Sequence, residues 1–489
     1  MGAPSLLQTM VARLAGHGLP AHEVWLPPLD ESAPVGELAQ HLRRTESTPL
    51  RVAIGVVDRP YDQRRDLLVV DLNGAQGNVA VVGGPQSGKS TALRTLIVST
   101  ALTHTPRQAQ FYVLDFGGGS LASIAGVPHV GSVAGRLDPD RVRRTVAEVT
   151  GVIRRREAAF REHGVASMDQ YRAHPAAAAD PFGDVFLVID GWQVLRSEFE
   201  SLEPQVNAIA AQGLSYGVHL VIAASRWGEV RPAVKDQLGT RIELRLGDPM
   251  DSEMGRRVAS SVPVGRPGRG ITGEQLHMLV ALPCGAESDD LPAAQEALVA
   301  EIGERYADHA PEVRMLPDVV LRDRIPARRD ASPTHAVFGV GESELAAATL
   351  QFESQPFFLV LGDSECGKTE TLRTIIAGLV AGGTPKQTKI VLVDYRRTLL
   401  GVIESDHLAG YASSSDALSP MVAVGAAVIV LANLINLLGP VTRVGALSGM
   451  ATPTRTITTD GPRKGEEIPV RTPTTLHALL QFANGATVT

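Results

Sequence analysis

Residues Gly83 to Ser90 read GGPQSGKS, directly after the apolar segment NVAVV and directly before the helix-like run TALRTLIVST. This octapeptide constrains the fold more than any other feature. Its glycines let the backbone curl until successive N–H groups point at phosphate oxygens, and the positive end of the following helix completes the cradle. The expected unit is strand, loop, helix. The chain repeats it: FFLVLGDSECGKTETLRTIIAGLVAGGTPKQTKIVLVDYRRTLL (357–400) aligns without gaps with 78–121, matching Gly83 to Gly362, Lys89 to Lys368 and Asp115 to Asp394. Each copy continues through a Pro-containing turn into a second apolar strand, an alternation that implies a parallel sheet with helices on its faces. The predicted fold class is α/β, with tandem P-loop parallel-sheet domains, the second incomplete.

Lysine occurs six times in 489 residues, so two chance matches at equivalent places are not credible. Candidate nucleotide-binding residues are Gly83, Gly84, Pro85, Gln86, Ser87, Gly88, Lys89, Ser90 and Thr91. In the second copy they are Gly362, Asp363, Ser364, Glu365, Cys366, Gly367, Lys368, Thr369 and Glu370. Lysine reaches the β- and γ-phosphates in such loops, and the hydroxyl of Ser90 or Thr369 ligates Mg²⁺. The implied cofactors are ATP and Mg²⁺. A P-loop also needs a second strand ending in an acid near the metal. DVFLVIDGW (184–192) offers Asp190, about a hundred positions after Lys89. The next residue is Gly191, where a glutamate would orient the attacking water, so the motif supports binding more strongly than turnover. A further strand, HLVIAA (219–224), ends in Ser225-Arg226, polar candidates for contacting the γ-phosphate at the carboxyl end of a strand. Arg256, Arg257, Arg266 and Arg269 are cationic candidates for a neighbouring subunit's nucleotide.

A net charge of -7 argues against a chain that coats nucleic acid, which is bound by neutralising phosphates. Cys284 and Cys366 are the only cysteines, too few for a disulfide framework or a zinc site, and imply a reducing compartment. The N-terminus lacks the pattern of a signal peptide. The most apolar run, 422–438, reads as a buried helix sooner than as a membrane span.

PAHEVWLPPLDE, GGPQSGKST, YVLDFGGGSL, VFLVIDGW, GLSYGVHLVIAASRW, GTRIELRLGDPMDSE and PGRGIT follow one another over 20–273. They resemble the FtsK/SpoIIIE group of ring-forming ATPases, and more narrowly the EccC (EccCb) ATPases of type VII secretion. The resemblance implies tandem ATPase domains with degenerate catalytic residues and tightly held nucleotide. It also implies a cytoplasmic half, attached to the inner membrane through a membrane-bound ATPase partner. Small WXG100-type substrates, a homo-oligomeric ring and no DNA partner complete the expectation. The alternatives are a DNA translocase or conjugation-type motor, and a non-hydrolysing nucleotide-dependent scaffold.

The expected layout is a linker segment (1–34), a first ATPase domain (35–322), a linker (323–333), a partial second ATPase domain (334–421) and a divergent tail (422–489). The second copy lacks an apolar strand ending in Asp near 459–468, so its Mg²⁺ site is expected to be incomplete. LANLINLLGPVTRV, TITTDGPRKGEEIPV and TPTTLHALLQFANGA are similar instead to the C-terminal sheet domain of the glucose-fructose oxidoreductase/inositol dehydrogenase family. They carry no catalytic motif of that family, and no hydride chemistry is expected.

Overall fold

The computed structural model describes residues 5–17, 26–45, 48–325, 332–342, 345–354, 357–363 and 365–414. It also describes, as backbone strands, 428–432, 441–449, 454–456, 467–469, 475–482 and 487–488. Two compact units result, Met1–Met315 and Leu316–Thr489.

The first unit is built on long apolar runs. β3 (Val79–Val82), β4 (Ala109–Asp115), β6 (Asp184–Asp190) and β7 (Val218–Ala224) are buried at every position. Strands of this kind suit the middle of a parallel sheet covered on both faces. With β5 (Val130–Gly135) and β8 (Thr240–Leu244) they form a parallel block in the order β8-β3-β7-β6-β4-β5. Four antiparallel strands extend it beyond β8: β9 (Arg269–Ile271), β10 (His277–Val280), β1 (Arg51–Arg59) and β2 (Arg64–Asp71). One face buries Leu93, Leu96 and Ile97 of the helix Lys89–Thr103. The other buries Val142, Val146 and Val149 of Pro139–His163, with Val206 and Ile209 of Glu203–Gln212. β3 therefore delivers the P-loop to the carboxyl edge of the sheet, between β7 and β8. The chain crosses from β3 to β4 past β7 and β6, leaving the crevice in which open α/β sheets place their ligands.

The second unit repeats the design in reduced form. β11 (His335–Val340) and β12 (Ala347–Gln351) pair antiparallel. The helix Lys368–Gly382 buries Leu372, Ile375, Ile376 and Leu379 in a small core with Ala336, Leu350, Ile390 and Leu392. β13 (Lys389–Val393) lies between β14 (Leu408–Ala412) and β15 (Val428–Ala432), all parallel.

Two expectations need correction here. The described part of the apolar run at 422–438, Val428–Ala432, is the strand β15 rather than helix, at the flank of β13 that β6 takes beside β4. These five residues are enough to extend a parallel sheet, and run length alone does not separate strand from helix. In addition, the second P-loop is not preceded by a strand. Residues 357–361 form no ladder, and Phe357, Leu359 and Leu361 are exposed. In the first unit β3 is held by β7 and β8, and the described residues of the second unit include no such pair of neighbours. An apolar segment without ladder partners has nothing to bury itself against.

In the tail, β16 (Val441–Gly449) pairs antiparallel with β19 (Thr475–Phe482), which pairs with β20 (Thr487–Val488), while β17 (Thr454–Thr456) pairs with β18 (Glu467–Pro469). Most of 459–468, the place equivalent to the acidic strand β6, lies outside the described residues, as does most of the linker 323–333.

Candidate nucleotide site

The first P-loop has the backbone its sequence demands. Gly88 sits at φ +101°, where a side chain is strained, and a Cβ there would fall 2.8 Å from the Gly268 nitrogen. Gln86 also takes a left-handed conformation, at φ +56°. The loop is braced from outside: Gly268 N–H donates to the Ser87 carbonyl at 2.8 Å, and Gly84 N–H to the Arg245 carbonyl at 2.8 Å. Lys89 Nζ folds over the loop and donates to the carbonyls of Gly83 and Gly84 at 2.7 and 2.8 Å. Burial pulls its ammonium below the ordinary value, opposed by the charges of Asp190 and Glu229. Pro85 and Gln86 are exposed, and Thr91 is half-buried.

Asp190 ends β6 beside Asp115 at the end of β4. Its Oδ2 accepts the Ser90 hydroxyl at 2.6 Å. The structure thus joins the two residues the sequence assigns to the metal. Burial pushes the Asp190 carboxyl up, against the pull of the Ser90 hydrogen bond, and the charge of Asp115 adds to the rise. A divalent cation would relieve both effects. Gly117 is required alongside, since a Cβ there would lie 2.5 Å from Asp190 Oδ2.

Mg²⁺ with a nucleoside triphosphate fits these residues. The Ser87 hydroxyl is buried in the loop without a hydrogen-bond partner, a polar atom placed to meet a phosphate oxygen. Ser90 and Asp190 offer the hard oxygen donors that Mg²⁺ prefers. Lys89 would hold the outer phosphates, the loop N–H groups would surround them, and bound Mg²⁺ would neutralise their charge.

A model of the FtsK/SpoIIIE family matches residues 39–289 and 321–434, most of the chain. The chain belongs to the FtsK/SpoIIIE family. It is 47 % identical over 436 residues to the ESX secretion system protein EccC of Thermomonospora curvata, covering 86 % of this chain and 33 % of that protein. It is 41 % identical over 417 residues to the ESX-1 secretion system protein EccCb1 of Mycolicibacterium smegmatis, covering 82 % of this chain and 70 % of that protein. Among solved structures it resembles the cytoplasmic domain of the T. curvata type VII secretion ATPase EccC. There the TM-score is 0.75 at 45 % identity, over 85 % of this chain and 50 % of that one. It also resembles T. curvata EccC (ATPases 2 and 3) in complex with a signal sequence peptide, with a TM-score of 0.73 at 46 % identity, over 81 % and 75 %. The chain spans about a third of the length of the EccC relatives it matches first. The family match runs to residue 434, past residue 421 where the expected second ATPase domain ends.

The second P-loop of this FtsK/SpoIIIE chain copies the first in trace. Glu365 and Gly367 adopt φ +61° and +90°, as Gln86 and Gly88 do. Lys368 Nζ donates to the carbonyls of Gly362, at 2.9 Å, and of Asp363, and lies 3.6 Å from Cys366 Sγ. The setting differs. Gly362, Asp363, Glu365, Cys366 and Gly367 are exposed, Glu370 pairs with Arg373, and Ser364 lies outside the described residues. Among the described residues no carboxylate is hydrogen-bonded to Thr369. Asp394 takes the place of Asp115, and each closes the turn after its strand: Asp394 accepts Leu399 N–H at 2.6 Å and Asp115 accepts Leu121 N–H at 2.7 Å.

Ser225 and Arg226 emerge at the carboxyl end of β7, both exposed. Of the four arginines proposed to reach a neighbour, Arg256, Arg257 and Arg266 are exposed, and Arg266 lies 3.9 Å from Asp30. Arg269 is not available. β9 draws it inward, where it is 8 % exposed and donates to the Leu29 carbonyl at 2.5 Å. Sequence reasoning missed Glu229, whose charge reaches Lys89, and the brace at Gly268. The glycine pair in PGRG was the available signal for the brace; nothing in the sequence marked Glu229.

Proposed function

We propose that this chain is an ATP-binding part of a type VII secretion ATPase, in which Mg²⁺·ATP at the first P-loop orders the domains and turnover is slow. The carrying observation is the Ser90–Asp190 pair at 2.6 Å inside a braced loop, followed by Gly191 in place of a base. Asp190 would share the metal shell with Ser90; Thr369 would do so at a weaker second site. The similarity to EccC and EccCb1 supports export of small WXG100-like proteins as the coupled process. It also supports a membrane-bound ATPase partner and a ring of like subunits. Among the described residues no helix is long and apolar enough to cross a membrane. A cytoplasmic position, held at the inner membrane through partners, is carried over from the similarity to EccC.

We read residues 35–322 and 334–421 as two ATPase domains, the second incomplete and carried on by β15 to about residue 434, with the divergent tail joined beyond it. Amplifying the gene across the codons for 400–440 tests that join, and a product encoding an intact further ATPase domain would end it. For function, the test is ATP binding and hydrolysis by the full chain, alone, with DNA, and with the membrane-bound ATPase and a WXG100 substrate. Binding without DNA, with turnover raised only by the secretion partners, is the expected result. Strong stimulation by DNA alone would overturn the proposal in favour of a DNA motor.

A further inference from the structure

The carboxyl edge of the parallel sheet holds an acid that the phosphate site, as described, does not use. β7 lies between β3 and β6, with Ala224 in register with Val82 and Ala223 in register with Asp190. The next residue, Ser225, leaves the sheet between the start of the P-loop and the metal-side aspartate. Glu229 folds back onto this point. Its Oε2 accepts the Ser225 N–H at 2.9 Å, and its Oε1 lies 3.9 Å from Arg226 Nε. It is not a loose surface side chain. Its carboxylate side chain is 12 % exposed against 67 % for Arg226. Its carbonyl accepts Arg196 Nη1 at 2.6 Å. The turn Trp227–Glu229 is anchored where Trp227 Nε1 donates to the buried Glu243 at 2.6 Å. The Lys89 ammonium thus has two acids in electrostatic reach, Asp190 and Glu229.

We propose that Glu229 determines nucleotide specificity at the first site, as a fixed carboxylate on the γ-phosphate side that weighs a nucleoside triphosphate against a diphosphate. The inference rests on the reading that ATP binds the first P-loop. Two effects act together. A γ-phosphate brings added negative charge to the strand edge, where a carboxylate already stands; the shorter diphosphate brings less. Glu229 also engages Ser225 N–H and Arg226, the donors a γ-phosphate would otherwise recruit. Both effects penalise the triphosphate more than the diphosphate, so tight triphosphate binding requires these donors to leave Glu229. This makes the clasp a gate on the third phosphate, and Glu229 a positioning residue for Ser225 and Arg226.

The experiment is equilibrium titration of the full chain with fluorescent ATP and ADP analogues in Mg²⁺, for wild type, Glu229→Gln, Glu229→Asp and Arg226→Ala, with thermal unfolding as the fold control. Removing one like charge from this largely buried position at the strand edge should raise the ATP-over-ADP affinity ratio roughly fivefold in Glu229→Gln. Glu229→Asp keeps the charge and should stay within about twofold of wild type. Arg226→Ala, at an exposed position, should lower the ratio roughly threefold through loss of a charge-assisted contact. If Glu229→Gln shifts ATP and ADP affinity by the same factor, the side chain is merely structural and the proposal falls. An unchanged ratio in Arg226→Ala overturns it even if the Glu229 variants do not fold. A wild-type chain that binds neither nucleotide would bring down the site reading and this inference together.

Discussion

The two P-loops have nearly the same trace and different surroundings. Gln86 and Glu365, and Gly88 and Gly367, share left-handed backbone, and in each copy the lysine closes onto the carbonyls of the first two loop residues. What the second loop lacks, among the described residues, is a sheet strand leading into it. β3 is buried between two parallel neighbours, whereas residues 357–361 form no ladder and expose four large apolar side chains, Phe357, Phe358, Leu359 and Leu361. The first lysine also has Asp190 nearby and a serine already bonded to it; the second has no such acid among the described residues. The local motif therefore fixes the loop, and the surrounding sheet decides whether the loop becomes a site.

Packing is where the comparison is easiest to break, because cavity costs in a core are large. Leu93 is fully buried under the first sheet, and Leu372, its equivalent, is 9 % exposed in a much smaller cluster. Leu93→Ala should cost the first unit about 3 kcal/mol, and Leu372→Ala should cost the second about half that. Urea unfolding followed by probes specific to each unit reads both. Equal losses would mean that the second core is as complete as the first. The next largest effect is on binding. Lys89→Ala should weaken ATP on the order of 100-fold, the loss of charge-assisted contacts to two phosphates, while Lys368→Ala should change total binding only slightly. Unchanged affinity in Lys89→Ala would refute the site assignment.

The legible part of the molecule was the part written locally. GGPQSGKS specifies a loop and helix by backbone geometry alone, and DVFLVID is apolar at each central position because β6 is covered on both faces. Asp190 could be paired with Ser90 from the sequence because the fold requires an acid at the end of a neighbouring strand. Three things were not legible. Arg269 looks like any other arginine in GRPGRG, and only the pairing of β9 with β8 and β10 turns it inward. The strand character of Val428–Ala432 depends on β13 being there to receive it. Glu229 reaches the site through a turn that no periodicity announces. Each is a consequence of long-range pairing, which a local pattern does not carry.

A smaller effect separates metal from phosphate at the intact loop. Asp190→Asn keeps the side-chain size and removes the charge that Mg²⁺ would meet. ATP affinity in Mg²⁺ should fall about tenfold, and affinity in EDTA should change little, because the metal is the link between Asp190 and the nucleotide. The sign has a second check. Burial penalises the Asp190 charge without the metal, so Asp190→Asn should leave the nucleotide-free first unit no less stable in urea. A loss of stability with unchanged Mg²⁺ dependence would make Asp190 a structural cap for Ser90.

The smallest effect tests the missing ladder itself. Leu359 is 61 % exposed in the segment that corresponds to β3, where Val81 is fully buried. If the segment is unpaired, Leu359→Ser should alter the stability of the second unit by less than about 0.5 kcal/mol, as surface substitutions do, and reduce aggregation of the chain. Val81→Ser, by contrast, places an unsatisfied hydroxyl between two parallel strands and should cost the first unit about 2 kcal/mol or more. A comparable cost at Leu359 would mean that the segment is covered in solution by strands the chain receives from elsewhere. The two loops would then differ in where their sheets come from rather than in whether they have one.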